Sequence, residues 1–527
     1  MRWSLLASLL LVACIVSLST ACTPAAPLAS PTARPAHAPL EMRRGAVSPA
    51  PEAPMTVTLT PSARGGHVVV TMRGLPRGAC WTLPHGARRD GAVAPLCSLA
   101  ALTYEVAPSP NAPCPFEVTP DHAVFCGDAV LARPDDDQPR LLHLALRGEE
   151  GFHAGAASSF GLAQDLELTA TPSDLAQAGF LFGDLHHARF DAPEGRDHAA
   201  WRGYFAFDPR WIAAEAAGLR TAVDQWLGIR RPSEDPPVGL LLSSRADPSP
   251  VVQLHPLFRG ALLTASPSSA WDLSARLTLT SHWVRRTLGG SLRLALTGAR
   301  WWLDEGVARA VALTVLQRLA LATPEEVAGE VNGWLGATAL SPHRGLSLEA
   351  LSRLAEEDVE AGAEARRLLV ARGALLGLSY GGEGARALQR ELRRLVAELA
   401  AGRAPALAVD RERPDLWEAF VSGAPLVPRA SDVDPCLQPT RLRYHRFDLG
   451  WARAGDRVAT VDPRGPAARA GVEAEDRIVT LDYAEGDSGS PVSMRVRRGE
   501  REVALRYLPR GKAALSPALA TGPACDG

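Results

Sequence analysis

The sequence predicts a multidomain α+β protein, and three observations carry that expectation. The chain has 527 residues, enough for about three to four domains at roughly 150 residues each. Its early and late regions alternate apolar and polar residues with the period of two that marks strands. Its long middle region spaces Ala and Leu at helical intervals. Hydrophobic residues make up 46% and charged residues 22%, which is ordinary globular usage and excludes a disordered chain or a multi-span membrane protein. The formal net charge is -2, so no basic surplus draws the chain to nucleic acid. Of the 56 basic residues only Lys512 is a lysine, and it sits in a Gly/Ala-rich tail. Lysine nucleophile or Schiff-base chemistry is therefore nearly excluded.

The first element is an export signal. Met1-Arg2-Trp3 is a short basic start, and Leu5 to Leu18 is apolar but too short for a membrane span. Ser19-Thr20-Ala21-Cys22 follows. Residues 1–21 resemble a bacterial lipoprotein signal, which implies a lipid on Cys22; Leu11-Val12-Ala13-Cys14 is a second candidate. A plain secretory signal is the plainer reading. Lipidation would anchor the chain firmly in the bacterial cell envelope, at the periplasmic side or the surface. Residues 22–54 carry prolines at 24, 27, 31, 35, 39, 49, 51 and 54 among small residues. Such a tether favours extended polyproline and reaches on the order of 100 Å.

Residues 55–175 are expected to form a β-sandwich. Thr56-Val57-Thr58-Leu59, Val68-Val69-Val70-Thr71, Leu141 to Leu146 and Leu166-Glu167-Leu168-Thr169 all read as strands separated by turn residues. Cys80, Cys97, Cys114 and Cys126 lie here, with Cys436 and Cys525 bracketing the last region. An even number in an exported chain favours disulfides. The pairing of the first four is open among three arrangements. Cys436 and Cys525 are expected to pair and join the two ends of the last region. No close cysteine pair has zinc-ligand spacing.

Residues 176–435 are expected to form a mostly helical domain, with helices over 209–227, 271–288, 302–321, 347–356, 361–378 and 385–401 punctuated by Gly, Pro and Asn. Residues 436–527 hold a strand-like region and tail. There Arg457 to Val461 and Arg477 to Leu481 flank Gly465-Pro466-Ala467-Ala468-Arg469-Ala470-Gly471-Val472, with Glu475-Asp476 after it. This Pro-Ala-x-x-x-Gly turn resembles a PDZ domain. The resemblance puts Leu449, Gly450 and Trp451 at the carboxylate-binding loop, where a peptide ligand would add a strand. Alternatively the module only packs.

The candidate active site rests on two segments. Thr278 to Gly290 contains Ser281-His282-Trp283-Val284-Arg285-Arg286, and Trp301-Trp302-Leu303-Asp304-Glu305-Gly306 follows. The second resembles the W-L-x-E-G helix of gluzincin metallopeptidases, whose glutamate is the third zinc ligand. The other two ligands come from an H-E-x-x-H helix, where histidines at i and i+4 share one face and the glutamate deprotonates the zinc-bound water. Eighteen residues separate Arg286 from Glu305. That register sets His282 at the first ligand, Trp283 at the base, Arg286 at the second ligand and Glu305 at the third. A shifted register puts Ser281, His282 and Arg285 at ligand, base and ligand. Neither supplies H-E-x-x-H. A guanidinium stays protonated and cannot ligate zinc, and an indole cannot accept a proton. Arg286 is therefore expected to pair with Glu305 in place of the ion. His186-His187 is a remote metal-ligand candidate, since adjacent histidines rarely share a metal. Gly486 to Ser490 resembles a serine-protease nucleophile loop but lacks a strand-to-helix elbow.

The stretch Ala371-Arg372-Gly373-Ala374-Leu375-Leu376 resembles the K-G-A-L-L helix of the glycyl aminopeptidase family, and Asp415 to Leu426 resembles the segment leading into that family's PDZ domain. The resemblance implies a β domain, a thermolysin-like helical domain and a PDZ domain in that order. Two functions follow. One is a noncatalytic, lipid-anchored protein that binds a peptide or protein and needs no cofactor. The alternative is a divergent zinc aminopeptidase using His282 and Glu305.

Overall fold

The computed structural model describes residues 54–522 except 63, 89–95, 98, 110–111, 113, 150–154, 193–194, 230–237, 247–250, 292–300, 358–359, 382–384, 404–406 and 484–487. The signal at 1–21, Cys22, the tether up to Ala53, Cys525, and Gly486 and Asp487 of the Gly486 to Ser490 loop lie outside the described residues. The chain mixes helices with several sheets, a multidomain α+β architecture. It falls into two compact units, one within Ala25–Ala222 and Arg230–Leu279, the other within Val223–Ile229 and Thr280–Gly527.

The first unit begins with a six-stranded sheet. Met55–Ser62 lies at its middle, antiparallel to His67–Arg73 and parallel to Arg140–Leu146. Alternation does what the sequence pattern asks: Met55, Val57 and Leu59 are buried while the residues between them are half-buried. A four-stranded sheet built around Gly179–Gly183 and His122–Cys126 contributes Phe125, Phe180 and Phe182 to the same hydrophobic core. Disulfides Cys80–Cys97 and Cys114–Cys126 settle the pairing that the sequence left open. Tyr104 fixes one turn, since its hydroxyl donates to the Val130 carbonyl and accepts from the Ala132 amide.

Residues 179–265 differ from the mostly helical expectation. Apart from the helix Pro209–Leu227, the regular elements among the described residues of this stretch are strands. A five-stranded sheet runs in the order His186–Ala192, Gly195–Arg202, Gly239–Ser244, Gly260–Ala265, Gln253–Leu257, with the middle three parallel. Gly239–Ser244 and Gly260–Ala265 are buried on both faces. Strands covered on both sides read as continuous apolar runs, which periodicity cannot tell from buried helix. His186 and His187 lie on the edge strand, both exposed, and their side chains point to opposite faces.

The second unit is helical up to residue 433. Leu273–Ser291, which starts in the first unit's residues, and the helices Ala308–Arg318, Leu348–Glu357, Glu360–Gly381 and Arg386–Ala400 fall close to the expected spans. A further helix, Pro324–Leu340, starts on a capping box in which Thr323 and Glu326 each satisfy the other's backbone amide. After it, Leu437–Phe447 pairs antiparallel with Arg510–Thr521. Between these two strands in sequence lies a five-stranded antiparallel sheet with the short helix Pro466–Ala470. It has a small core of Val458, Ala467, Val472, Met494 and Val496.

Candidate functional site

Trp302–Val307 is a π-helical turn at the head of Ala308–Arg318, a geometry that is rare and concentrated at functional sites. It is held against Glu360–Gly381 by backbone contact. A Cβ on Gly373 would meet the Trp302 carbonyl oxygen at 1.9 Å, and one on Gly306 would meet the Val370 carbonyl oxygen at 2.5 Å. One turn on, a Cβ on Gly377 would meet the Ala310 Cβ at 2.9 Å. The glycines of both motif segments are therefore the crossing itself, and they fix where Glu305 emerges. Trp302 is fully buried, packed edge-to-face on Trp417 and Phe420. Trp301 lies under the Arg366 guanidinium, 5.6 Å from its ring centre.

Glu305 pairs with Arg285, Nη2 to Oε1 at 3.2 Å, with both side chains partly exposed. The cation shown at Glu305 is thus Arg285, the neighbour of the expected Arg286. One residue along an α-helix is a rotation of about 100°, so the guanidinium facing Glu305 belongs to the shifted register. In that register Ser281 stands at the first ligand position, His282 at the base position and Arg285 at the second ligand position. Ser281 is buried and its hydroxyl has no hydrogen-bond partner among the described residues. His282 is buried, its ring 4.9 Å from that of Trp283. Trp283 is likewise buried in the core, not poised as a base. Among the described residues no group of three or more His, Cys, Asp or Glu is placed to hold a metal ion. Among the described residues the group opposite Glu305 is a permanent cation, which repels a second one and gives zinc no electron pair.

Sequence reasoning missed Arg372. It is 4% exposed, and among the described residues no carboxylate pairs with it. Its guanidinium donates instead to the carbonyls of Arg344, Leu346 and Gly423, and burial holds its pKa below the usual arginine value. The arginine of the 371–376 motif is thus a backbone clamp. The signal available was Gly423, whose left-handed backbone, φ 85°, ends the helix Pro414–Ser422 and turns its carbonyl to the guanidinium.

The loop Leu449-Gly450-Trp451 opens the C-terminal sheet, and Trp451–Ala454 is its edge strand. Gly450 has φ 74°, and a Cβ there would meet the Pro466 ring at 2.8 Å, so only glycine fits. Several polar groups of this loop are already occupied. The Gly450 amide donates to Asp448 Oδ1 at 2.8 Å, and the Gly450 carbonyl accepts from the Asp462 amide at 2.8 Å. Tyr507 Oη donates to the Leu449 carbonyl and accepts from Trp451 Nε1.

Compared with known proteins, the chain resembles the crystal structure of an aminopeptidase N family protein from Idiomarina loihiensis. The TM-score is 0.63 at 13% identity, over 89% of this chain and 98% of that one. No family model matches the chain, and no curated protein matches it. The structural likeness shows that the chain has a peptidase-like fold. The two disulfides fit an oxidising, extracytoplasmic compartment. Among the described residues no helix is long and apolar enough to cross a membrane.

Proposed function

We propose that this chain is a noncatalytic protein of the bacterial cell envelope, anchored by lipid on Cys22, that binds peptide or protein ligands through its peptidase-like and C-terminal modules. The observation that carries this reading is the Arg285–Glu305 pair. A guanidinium sits where a working metallopeptidase needs an electron-pair donor to zinc. Without metal there is no activated water, and losing a general base alone typically costs about 10²–10⁴ in rate.

The N-terminal sheets are read as a β-sandwich, the helical region as thermolysin-like and the C-terminal sheet as PDZ-like, within the domain limits given above. In the PDZ-like module a peptide would add a strand beside Trp451–Ala454. Cys436 is disulfide-bonded, and Cys525 is proposed as its partner. In support, Leu437 pairs with Thr521 and the Gly522 amide donates to the Cys436 carbonyl at 2.8 Å. Cys525 lies three residues beyond.

The test is metal analysis of the purified full-length chain after dialysis against zinc, with turnover measured on a panel of aminoacyl anilides. The expected result is substoichiometric zinc and no turnover above buffer. Stoichiometric zinc that disappears in His282→Ala or Glu305→Gln, together with turnover, would establish the divergent aminopeptidase instead.

A further inference from the structure

The loop at 448–451 carries charge of the wrong sign for a peptide carboxylate. A loop that captures a terminal carboxylate offers free backbone amides, but the Gly450 amide is taken by Asp448 of the same loop. An incoming carboxylate would have to displace that side chain and then lie beside its negative charge. Asp448 is exposed, and among the described residues no cationic side chain forms an ion pair with it.

Two aromatic pairs lie on the segments that carry and adjoin this loop. Phe447, next to Asp448 in sequence, stacks on Tyr483 with ring centres 6.0 Å apart. Trp451 and Tyr507 are joined by the hydrogen bond at 2.8 Å. All four rings are half-buried, so each keeps some surface open to a ligand. Burial, with lesser contributions from Asp448 and Tyr483, pushes the Tyr507 hydroxyl up to about 12. A carboxylate together with partly open aromatic rings is the chemistry that recognises an ammonium or guanidinium group.

We propose that the Asp448 loop, with Phe447, Trp451, Tyr483 and Tyr507, binds a cationic side chain of a peptide laid along Trp451–Ala454, and does not read a terminal carboxylate. This deepens the peptide-binding reading above and rests on it. The occupant is an extended segment carrying arginine or lysine, chosen by charge complementarity to an unpaired acid.

The experiment measures fluorescence polarisation of N-acetylated, Val/Thr-rich ten-residue peptides with the full-length protein. Each peptide carries either one arginine or one glutamine, walked through the positions, and each is made as the C-terminal acid and as the amide. At the best position the arginine peptide should bind about tenfold tighter than its glutamine twin, with acid and amide equal within about twofold. Asp448→Asn keeps an oxygen for the Gly450 amide while removing the charge, and should erase the arginine preference. Asp448→Glu should retain it. If the acids bind and the amides do not, whatever the arginine, the loop reads carboxylates and this inference fails while peptide binding stands. If no peptide binds in either form, the peptide-binding reading fails and takes this inference with it.

Discussion

The helix crossing at Gly306 and Gly373 and the ion pair at Arg285 and Glu305 both involve the short π-helical segment Trp302–Val307, yet they obey different physics. At the crossing, the backbones of two helices touch, and any side chain larger than hydrogen meets a carbonyl within 2.5 Å. At the pair, two partly exposed charges sit 3.2 Å apart with solvent beside them. Packing at a backbone contact tolerates almost no substitution. An exposed ion pair contributes little and can be exchanged freely. The contrast teaches how a peptidase-like scaffold can keep its shape with a guanidinium facing the glutamate. The residues that hold the fold together are not the residues that would do the chemistry.

The largest expected effect breaks the crossing. Gly373→Ala places a methyl 1.9 Å from the Trp302 carbonyl oxygen, and the helices must separate. Overpacking typically costs about 1–3 kcal/mol and occasionally more; backbone opposite backbone puts this site at the upper end, about 3 kcal/mol or above. Urea denaturation followed by tryptophan fluorescence reads it, because Trp302 is buried at the contact. An unchanged midpoint would show that the crossing is loose, and the comparison would collapse.

Arg372→Met tests the buried clamp beside that crossing. It removes donors from three carbonyls, and each buried group left unsatisfied costs roughly 1–3 kcal/mol. Partial relaxation suggests a total of about 3 kcal/mol. Arg372→Lys should recover only part of it, since an ammonium lacks the planar fork. Full rescue by lysine would mean that charge, not geometry, holds Arg344, Leu346 and Gly423.

Burial also predicts a response to acid in the first unit. Burial, then the neighbouring Arg245, pulls His255 down to about 4. A histidine whose folded pKa is depressed favours the native state above its unfolded value of about 6.5, and that contribution is lost as pH falls toward 4. The loss is on the order of 2–3 kcal/mol. Stability measured at pH 7, 5.5 and 4 should fall less steeply in His255→Gln than in the native chain. Equal slopes would place the acid sensitivity elsewhere, with His198, also depressed by burial, as the next group to change.

How much of this was legible in the sequence depends on which physics a residue obeys. Alternation in Met55–Ser62 and helical spacing in Leu273–Ser291 reflect one buried face, so they could be read directly. Gly239–Ser244 and Gly260–Ala265 are buried on both faces and lose their period, so the central parallel sheet was hidden. Thr323-Pro324-Glu325-Glu326 is a helix start written openly in the sequence, though the helix after it was not anticipated. At the site, spacing alone could not choose between Arg285 and Arg286, because the π-turn before Val307 alters the rotation that spacing assumes. Arg372 was recognisable as part of a motif, but its role depends on carbonyls 26, 28 and 51 residues away.

The smallest expected effect is also the sharpest for the comparison. Arg285→Ala should change stability by less than about 1 kcal/mol, since the pair is partly exposed and screened. Glu305→Gln should do the same, and the double variant should cost no more than the sum, with a coupling of a few tenths of a kcal/mol. Arg285→His goes further, because it replaces a fixed cation with a group that can give zinc an electron pair. With Glu305 and the histidine only two ligands then converge, short of the three that catalytic zinc uses, so binding should stay weak and no turnover should appear. Tight zinc in that single variant would mean that His282 can swing onto the metal from its place beside Trp283, and that one substitution separates this chain from a working metal centre.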